Sequence, residues 1–305
     1  MLAGVDKGDR VICQSYTFAA PAFAVKYLGA FPVFIDSEQQ TGNIDPGLLE
    51  TAILQTRPKA VIINHSYGYP ALMDQIENIC RTQGVKLIED AAGALGSKWG
   101  SQHLGTFGDF GIYSFNYNKI VTTYGGGALM IKTEADYRKA IYLMCQAKAS
   151  GRNYYLHHQI GYNFMINGAG ASLGCSQIGK LDSIISKKGE INRFYREHLT
   201  GCGIKLFEAP AGSMANHWLN AAMLPEGIDP EIVISYLAQH QVECRRAWKP
   251  LHTQPVFSKE TFFEGNNCEQ FFRSGILLPS GTSLGGAEMS RVCDLIKMIV
   301  HESID

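Results

Sequence analysis

Lys86-Leu87-Ile88-Glu89-Asp90-Ala91-Ala92-Gly93-Ala94 is the stretch whose reading decides the fold. Its first five residues read as a short strand that ends on two carboxylates. Small residues follow at once. In a parallel sheet, ligands bind at the carboxyl ends of strands. A terminal Asp90 followed by small residues can therefore approach a planar ligand closely. A strand-terminal Asp is also a common helix N-cap, and these residues alone leave both readings open.

Outward from this stretch, strand and helix signals alternate. Residues 10–13, 32–36, 60–64, 108–115 and 127–132 read as strands. Residues 18–28, 46–54 and 73–83 read as helices. Thr17 is a candidate N-cap, as is Asp45 with Pro46 at the first helical position. Gly29 and Gly84 are stop signals. Short β-branched runs separated by helices predict an α/β fold, a mainly parallel sheet flanked by helices on both faces. Residues 134–149 have helical spacing, 152–162 form a polar, aromatic loop, and 169–199 are helical again. The character then changes to strand-like pieces (218–224), a helix (230–240) and a loop rich in Pro and aromatics (248–257). This divides the chain into a large domain, 1–199, and a smaller C-terminal α+β domain, 200–305. At the other end, residues 2–5 read as the tail of a helix stopping at Gly4, which predicts a segment upstream of Met1.

Composition narrows the function. The chain has 305 residues, 46% hydrophobic and 18% charged, which is globular material. Lys and Arg total 27 against 28 Asp and Glu, so there is no basic excess of the kind that neutralises nucleic-acid phosphates. No apolar run reaches the roughly 18 residues of a membrane span, and the first residues lack a signal-peptide pattern. The eight cysteines are scattered, without metal-ligand spacing. They read as reduced residues of a cytoplasmic protein, with no metal site.

Four features carry chemistry. Asp90 is the first. The second is Lys119, in Tyr113-Ser114-Phe115-Asn116-Tyr117-Asn118-Lys119-Ile120, just beyond a strand; a lysine in a dry pocket loses proton affinity and becomes a nucleophile. The third is Gly125-Gly126-Gly127, which permits close backbone approach. The fourth is Phe18, after the first strand, an aromatic able to stack on a flat ring. Each has a bland reading alone: a cap, a solvated lysine, a turn, a core aromatic. Together they are the parts of a pyridoxal phosphate site, which needs a lysine for the cofactor aldehyde, a carboxylate for its pyridine nitrogen, a stacking aromatic and donors for its phosphate.

The same residues resemble the DegT/DnrJ/EryC1/StrS sugar aminotransferases. The resemblance runs through nearly the whole chain. It includes Pro32-Val33-Phe34-Ile35-Asp36, His65-Ser66-Tyr67-Gly68-Tyr69-Pro70, Ile88-Glu89-Asp90-Ala91-Ala92, Ser114-Phe115-Asn116-Tyr117-Asn118-Lys119, Gly161-Tyr162-Asn163-Phe164 and Trp248-Lys249-Pro250-Leu251-His252. Asn118 to Thr123 with the triple glycine, and Arg245 to His252 with residues 278–282, look most like the branch acting on UDP-4-keto-6-deoxy-N-acetylglucosamine. The resemblance implies the fold-type I aminotransferase architecture and pyridoxal 5'-phosphate as cofactor. It implies transfer of an amino group, with glutamate as donor, to a nucleotide-linked 4-keto-6-deoxy sugar in bacterial glycan biosynthesis. It implies Lys119 as the catalytic lysine, Asp90 for the pyridine nitrogen, Phe18 for the ring and Ser114 for the phosphate. Asn163 would reach the phosphate in a neighbouring subunit, making a homodimer with shared sites. Arg245, Trp248 and His252 would face the nucleotide sugar. A dehydratase branch has His where this chain has Lys119.

Three departures qualify the resemblance. Gly93 stands where the family has His, Gln or Glu near the phenolic oxygen of the cofactor. Met165 replaces Arg or Lys, and Gly168, Ala169 and Gly170 predict a weak helix start. The family's first segment, a Ser-Gly-Thr turn at a phosphate-binding helix N-terminus, has no counterpart here, which predicts weak cofactor binding. The alternatives to set against the main reading are an inactive relative of the same fold, a non-enzymatic binding module, and an aminotransferase for a GDP-linked 4-ketohexose.

Overall fold

A computed structural model describes residues 1–304. The first half is a run of β–α units: β1 (Arg10–Gln14), α1 (Ala20–Tyr27), β2 (Phe31–Ile35), α2 (Pro46–Thr56), β3 (Ala60–Asn64), α3 (Met73–Gln83) and β4 (Lys86–Asp90). Local chemistry sets the ends. The Asp45 side chain accepts from Gly47 N and Leu48 N and starts α2, and Gly84, at φ +65°, stops α3. A short hairpin, β5 (Lys98–Trp99) and β6 (Gln102–His103), precedes β7 (Phe110–Ser114) and β8 (Gly127–Ile131).

The central sheet is parallel from β2 through β1, β3, β4 and β7, and β8 joins antiparallel at the edge. Alternation along each strand divides its side chains between two cores. Ile12, Val33, Ile35, Val61, Ile63 and Leu87 pack with α2 and α3. Val11, Cys13, Phe34 and Ala60 pack with Ala22 and Val25 of α1 on the other face. Asp90 therefore ends β4 on the α1 side, level with Asn64 on β3 and Ile112 on β7.

Helices α4 (Glu134–Met144), α5 (Gly168–Ile178) and α6 (Leu181–Leu199) follow. The C-terminal part contains β9 (Lys205–Leu206), β10 (Ser213–Met214), β11 (Asn220–Met223), α7 (Pro230–Gln239), β12 (Arg245–Arg246), β13 (Thr261–Phe263), α8 (Cys268–Ser274), β14 (Gly275–Leu278) and α9 (Gly286–Ile304). Its four-stranded antiparallel sheet runs β12-β14-β11-β9. Two elements cross the expected boundary at residue 200. Ile191, Tyr195 and Leu199 of α6 lie in the C-terminal core, and β13 returns to pair parallel with β2.

Three local expectations are corrected. Thr17 does not cap the first helix: Ala19 takes that place, Pro21 sits in the first turn, and Thr17 Oγ1 is buried without a partner. The helix from 134 stops at Met144 rather than 149, because Gln146 and Ala147 turn left-handed and Cys145 bridges to Asn163. The stretch 169–199 is two helices, separated at Gly179 and Lys180. The glycine-rich start of α5 is held by Asn167, whose side chain accepts from Gly170 N at 2.8 Å. No helix among the described residues is long and apolar enough to cross a membrane.

Candidate active site

A cavity of about 1380 Å³ lies along the α1 side of the central sheet and reaches the carboxyl ends of its strands. Phe18, Asp90, Gly93, Ser114, Lys119 and Trp218 line it, and Arg245, Trp248 and Ser280 bring the C-terminal part to it. The turn between β7 and β8 presents Lys119. It is closed by Lys119 N to Asn116 O (3.0 Å), Thr123 N to Phe115 O (2.9 Å) and Phe115 N to Gly126 O (3.0 Å). Gly126 adopts φ +86°, which a side-chain-bearing residue rarely does.

Asp90 and Lys119 set the electrostatics. Asp90 Oδ1 accepts from Ala92 N at 3.0 Å, and Oδ2 has no hydrogen-bond donor among the described residues. Burial pushes the Asp90 carboxyl above its ordinary range, against the pull of the Ala92 N–H, Lys119 and His65. Burial also lowers Lys119 to about 8, while Asp90 works in the opposite direction. At pH 7.5 roughly a quarter of such amines are neutral, against about one in a thousand for a free lysine. A lysine poised near neutrality beside a carboxylate with a free oxygen, in an apolar cleft, fits an aldehyde cofactor with a basic ring nitrogen.

Behind Asp90, Glu89 is fully buried. It accepts from Gly105 N (2.7 Å), Phe107 N (2.6 Å), Gly108 N (2.7 Å) and His65 Nε2 (3.2 Å). His65 Nδ1 accepts from Ala71 N, which fixes the ring proton on Nε2. Burial favours the neutral acid, but His65 and the Gly108 and Gly105 N–H groups outweigh it and hold Glu89 below the usual carboxylate range.

The other expected residues divide. Phe18 is 65% exposed and lines the cavity. Ser114, partly buried at the end of β7, also lines it and accepts from Asn116 N at 3.3 Å. Trp248 reaches the cavity and stacks on Tyr67, 4.1 Å between centroids. Arg245 is exposed and ion-paired to Glu243 at 2.6 Å. His252 is not among the lining residues. Its ring stacks on Phe262 at 3.6 Å, and its nitrogens engage Ser15 Oγ (2.7 Å) and Glu269 (3.3 Å), because β13 brings Phe262 alongside. Asn163 is exposed on the 145–165 loop, outside its own chain's cavity, as is Met165. Trp218 was missed from sequence. Lys119 Nζ lies over its ring, 3.5 Å from the centroid. The signal for it was Gly93: a Cβ there would stand 2.4 Å from Trp218 Cε3.

Comparison with known proteins agrees with this geometry. The model of the DegT/DnrJ/EryC1/StrS aminotransferase family matches residues 1–297. EpsN of Bacillus subtilis, whose name assigns it to the pyridoxal phosphate-dependent aminotransferases, is 40% identical over 98% of this chain and 80% of its own. GDP-perosamine synthase of Escherichia coli O157:H7 is 31% identical over 96% of this chain and 79% of its own. The structure of DesI in the presence of its TDP-sugar product superposes with a TM-score of 0.89 at 26% identity, covering 98% of this chain and 76% of that one. With a fold, a lysine–aspartate cavity and a family match that agree along the chain, it belongs to the DegT/DnrJ/EryC1/StrS aminotransferases, a family of pyridoxal phosphate enzymes.

Proposed function

We propose that this chain is a pyridoxal phosphate-dependent aminotransferase that converts a nucleotide-linked 4-keto-6-deoxy sugar to the 4-amino sugar, with glutamate as donor. The observation that carries the reading is the convergence of Lys119 and Asp90 on one cavity, with Arg245 also on its lining. When bound, the cofactor supplies an electron sink that lets a C–H bond beside the transferred nitrogen ionise. Lys119 Nζ would hold the cofactor and would be the group placed to take up and return that proton. Asp90, whose Oδ2 has no donor among the described residues, would hold the ring nitrogen in its charged form. Phe18 would cover the ring, and the Ser114 hydroxyl would be a donor for the phosphate. Arg245 and Trp248 hold the nucleotide end; His252, with both nitrogens engaged, supports this wall from behind.

Asn163 serves a second copy, so the working unit is a homodimer with shared sites. The buried, unpaired state of Cys13, Cys80, Cys244, Cys268 and Cys293 supports a cytoplasmic setting. The 31% identity to a GDP-perosamine synthase supports a second reading, in which the nucleotide is GDP. The test has two stages. Borohydride reduction with pyridoxal phosphate should place one adduct on Lys119 that is absent from Lys119→Ala. Glutamate should then bleach the bound-cofactor absorbance, and a panel of UDP-, GDP- and dTDP-linked 4-keto-6-deoxy sugars should restore it with one nucleotide preferred. An adduct elsewhere, or no response to any sugar, overturns the proposal.

A further inference from the structure

Gly93 and Trp218 form a matched pair. A Cβ on residue 93 would lie 2.4 Å from Trp218 Cε3 and 2.8 Å from Cζ3. A rigid ring cannot yield that distance, so the indole fills the volume in which a side chain at 93 would stand. Trp218 grips the lysine turn twice. Its Nε1 donates to Asn118 O at 2.7 Å, and its ring faces Lys119 Nζ at 3.5 Å. Trp218 is 6% exposed and lines the cavity.

The indole is held in turn. Asn216 Oδ1 accepts from Trp218 N at 2.9 Å, and Asn216 Nδ2 donates to Gly93 O and Leu95 O, both at 2.9 Å. Ser97 Oγ accepts from Asn216 N and donates to Gly68 O. Lys188 Nζ donates to Trp218 O at 3.0 Å. His217, between the two anchored residues, is left-handed at φ +51°. A residue bearing a side chain keeps that conformation where its surroundings over-determine it.

We infer that Trp218 is a positioning residue for Lys119, seated by the Asn216 latch in the space that Gly93 leaves open and fixing both the place of the amine and its access to water. The inference takes Lys119 as the reactive lysine and in that respect rests on the reading above. Its test is made first on the cofactor-free chain. The rate at which Lys119 is acylated by acetic anhydride, read by peptide mass spectrometry across pH, gives the midpoint at which the amine loses its proton. Wild type should have a midpoint near 8.

Trp218→Ala admits water on one side of the amine. Burial is the largest influence on Lys119 and lowers it against the pull of Asp90, so the midpoint should rise toward that of a free lysine. Pyridoxal phosphate, titrated by absorbance, should bind about tenfold more weakly. Trp218→Phe keeps a ring and loses only the bond to Asn118, and its midpoint should stay near 8. Gly93→Ala expels the indole and should reproduce the Trp218→Ala midpoint, but add nothing in the Trp218→Ala background. The inference is overturned if Gly93→Ala displaces the Trp218 fluorescence and leaves the midpoint in place. It is also overturned if Trp218→Phe moves the midpoint as far as Trp218→Ala, or if the two single effects add. Should wild type carry no cofactor adduct while the midpoints move as expected, the aminotransferase reading fails and the positioning role stands.

Discussion

Replacing Glu89 by Gln tests the scaffold under Asp90 most sharply. The carboxylate takes four donors: Phe107 N and Gly108 N on Oε1, Gly105 N and His65 Nε2 on Oε2. A glutamine keeps one acceptor oxygen, enough for the first two. Its amide nitrogen then faces the Gly105 N–H and the His65 Nε2–H, donor against donor. His65 cannot escape by moving its proton to Nδ1, because that atom accepts from Ala71 N. Two buried donors are left without acceptors and a buried charge is lost, which costs about 3–5 kcal/mol. Against a total stability of roughly 5–15 kcal/mol, that is a large fraction. Urea unfolding measures it, through a lower midpoint at unchanged slope. The pH dependence has a definite sign. Glu89 is held below its ordinary value in the folded chain, so its contribution is full above the unfolded value of about 4.3 and is lost as pH falls through the folded value. The gap between wild type and Glu89→Gln should therefore be constant near neutrality and close below about pH 4. A loss under about 1 kcal/mol at pH 7 would refute the donor count.

Three further outcomes follow from single carboxylates. Asp90→Asn removes the charge that raises Lys119's proton affinity, so Lys119 acylation at pH 7.5 should speed up. The gain is bounded at about fourfold, because roughly a quarter of the amines are already neutral; a slower rate would contradict it. Asp45→Ala deletes the cap on α2 and should cost about 1 kcal/mol in urea unfolding, with a change under 0.3 kcal/mol counting against the cap (about the noise of such measurements). Asp36→Asn disturbs a carboxylate that accepts from Ser37, Gly265, Asn267 and Cys268 N–H groups. It should cost about 2–4 kcal/mol and speed amide exchange over residues 261–268, the segment it ties to β2.

What was legible in the sequence was what neighbours in the chain decide. The limits of β3, α3 and β4 match the sequence reading residue for residue, because alternation, a Gly84 stop and β-branched runs act within a few residues. The helix from 134 was read five residues too long, because its end is set by pairing with residues 157–163, which no local pattern announces. His252 shows the same limit in the site. Its motif placed it near the substrate, but the ring it stacks on arrives with β13, a strand of three residues that pairs with β2 from across more than two hundred positions.

Gly93 is the instructive case. Taken alone, a glycine where a family carries a functional side chain reads as a loss. In the fold it is a statement about residue 218: the space is taken, and only hydrogen fits beside the indole. Gly93 signals that something fills the space but not which residue does, since Trp218 reaches the site through Asn216 and a left-handed His217. A motif departure at a glycine is therefore better met by asking what occupies the vacated volume than by discounting the site. The answer here is a side chain that touches both the lysine and the carbonyl before it.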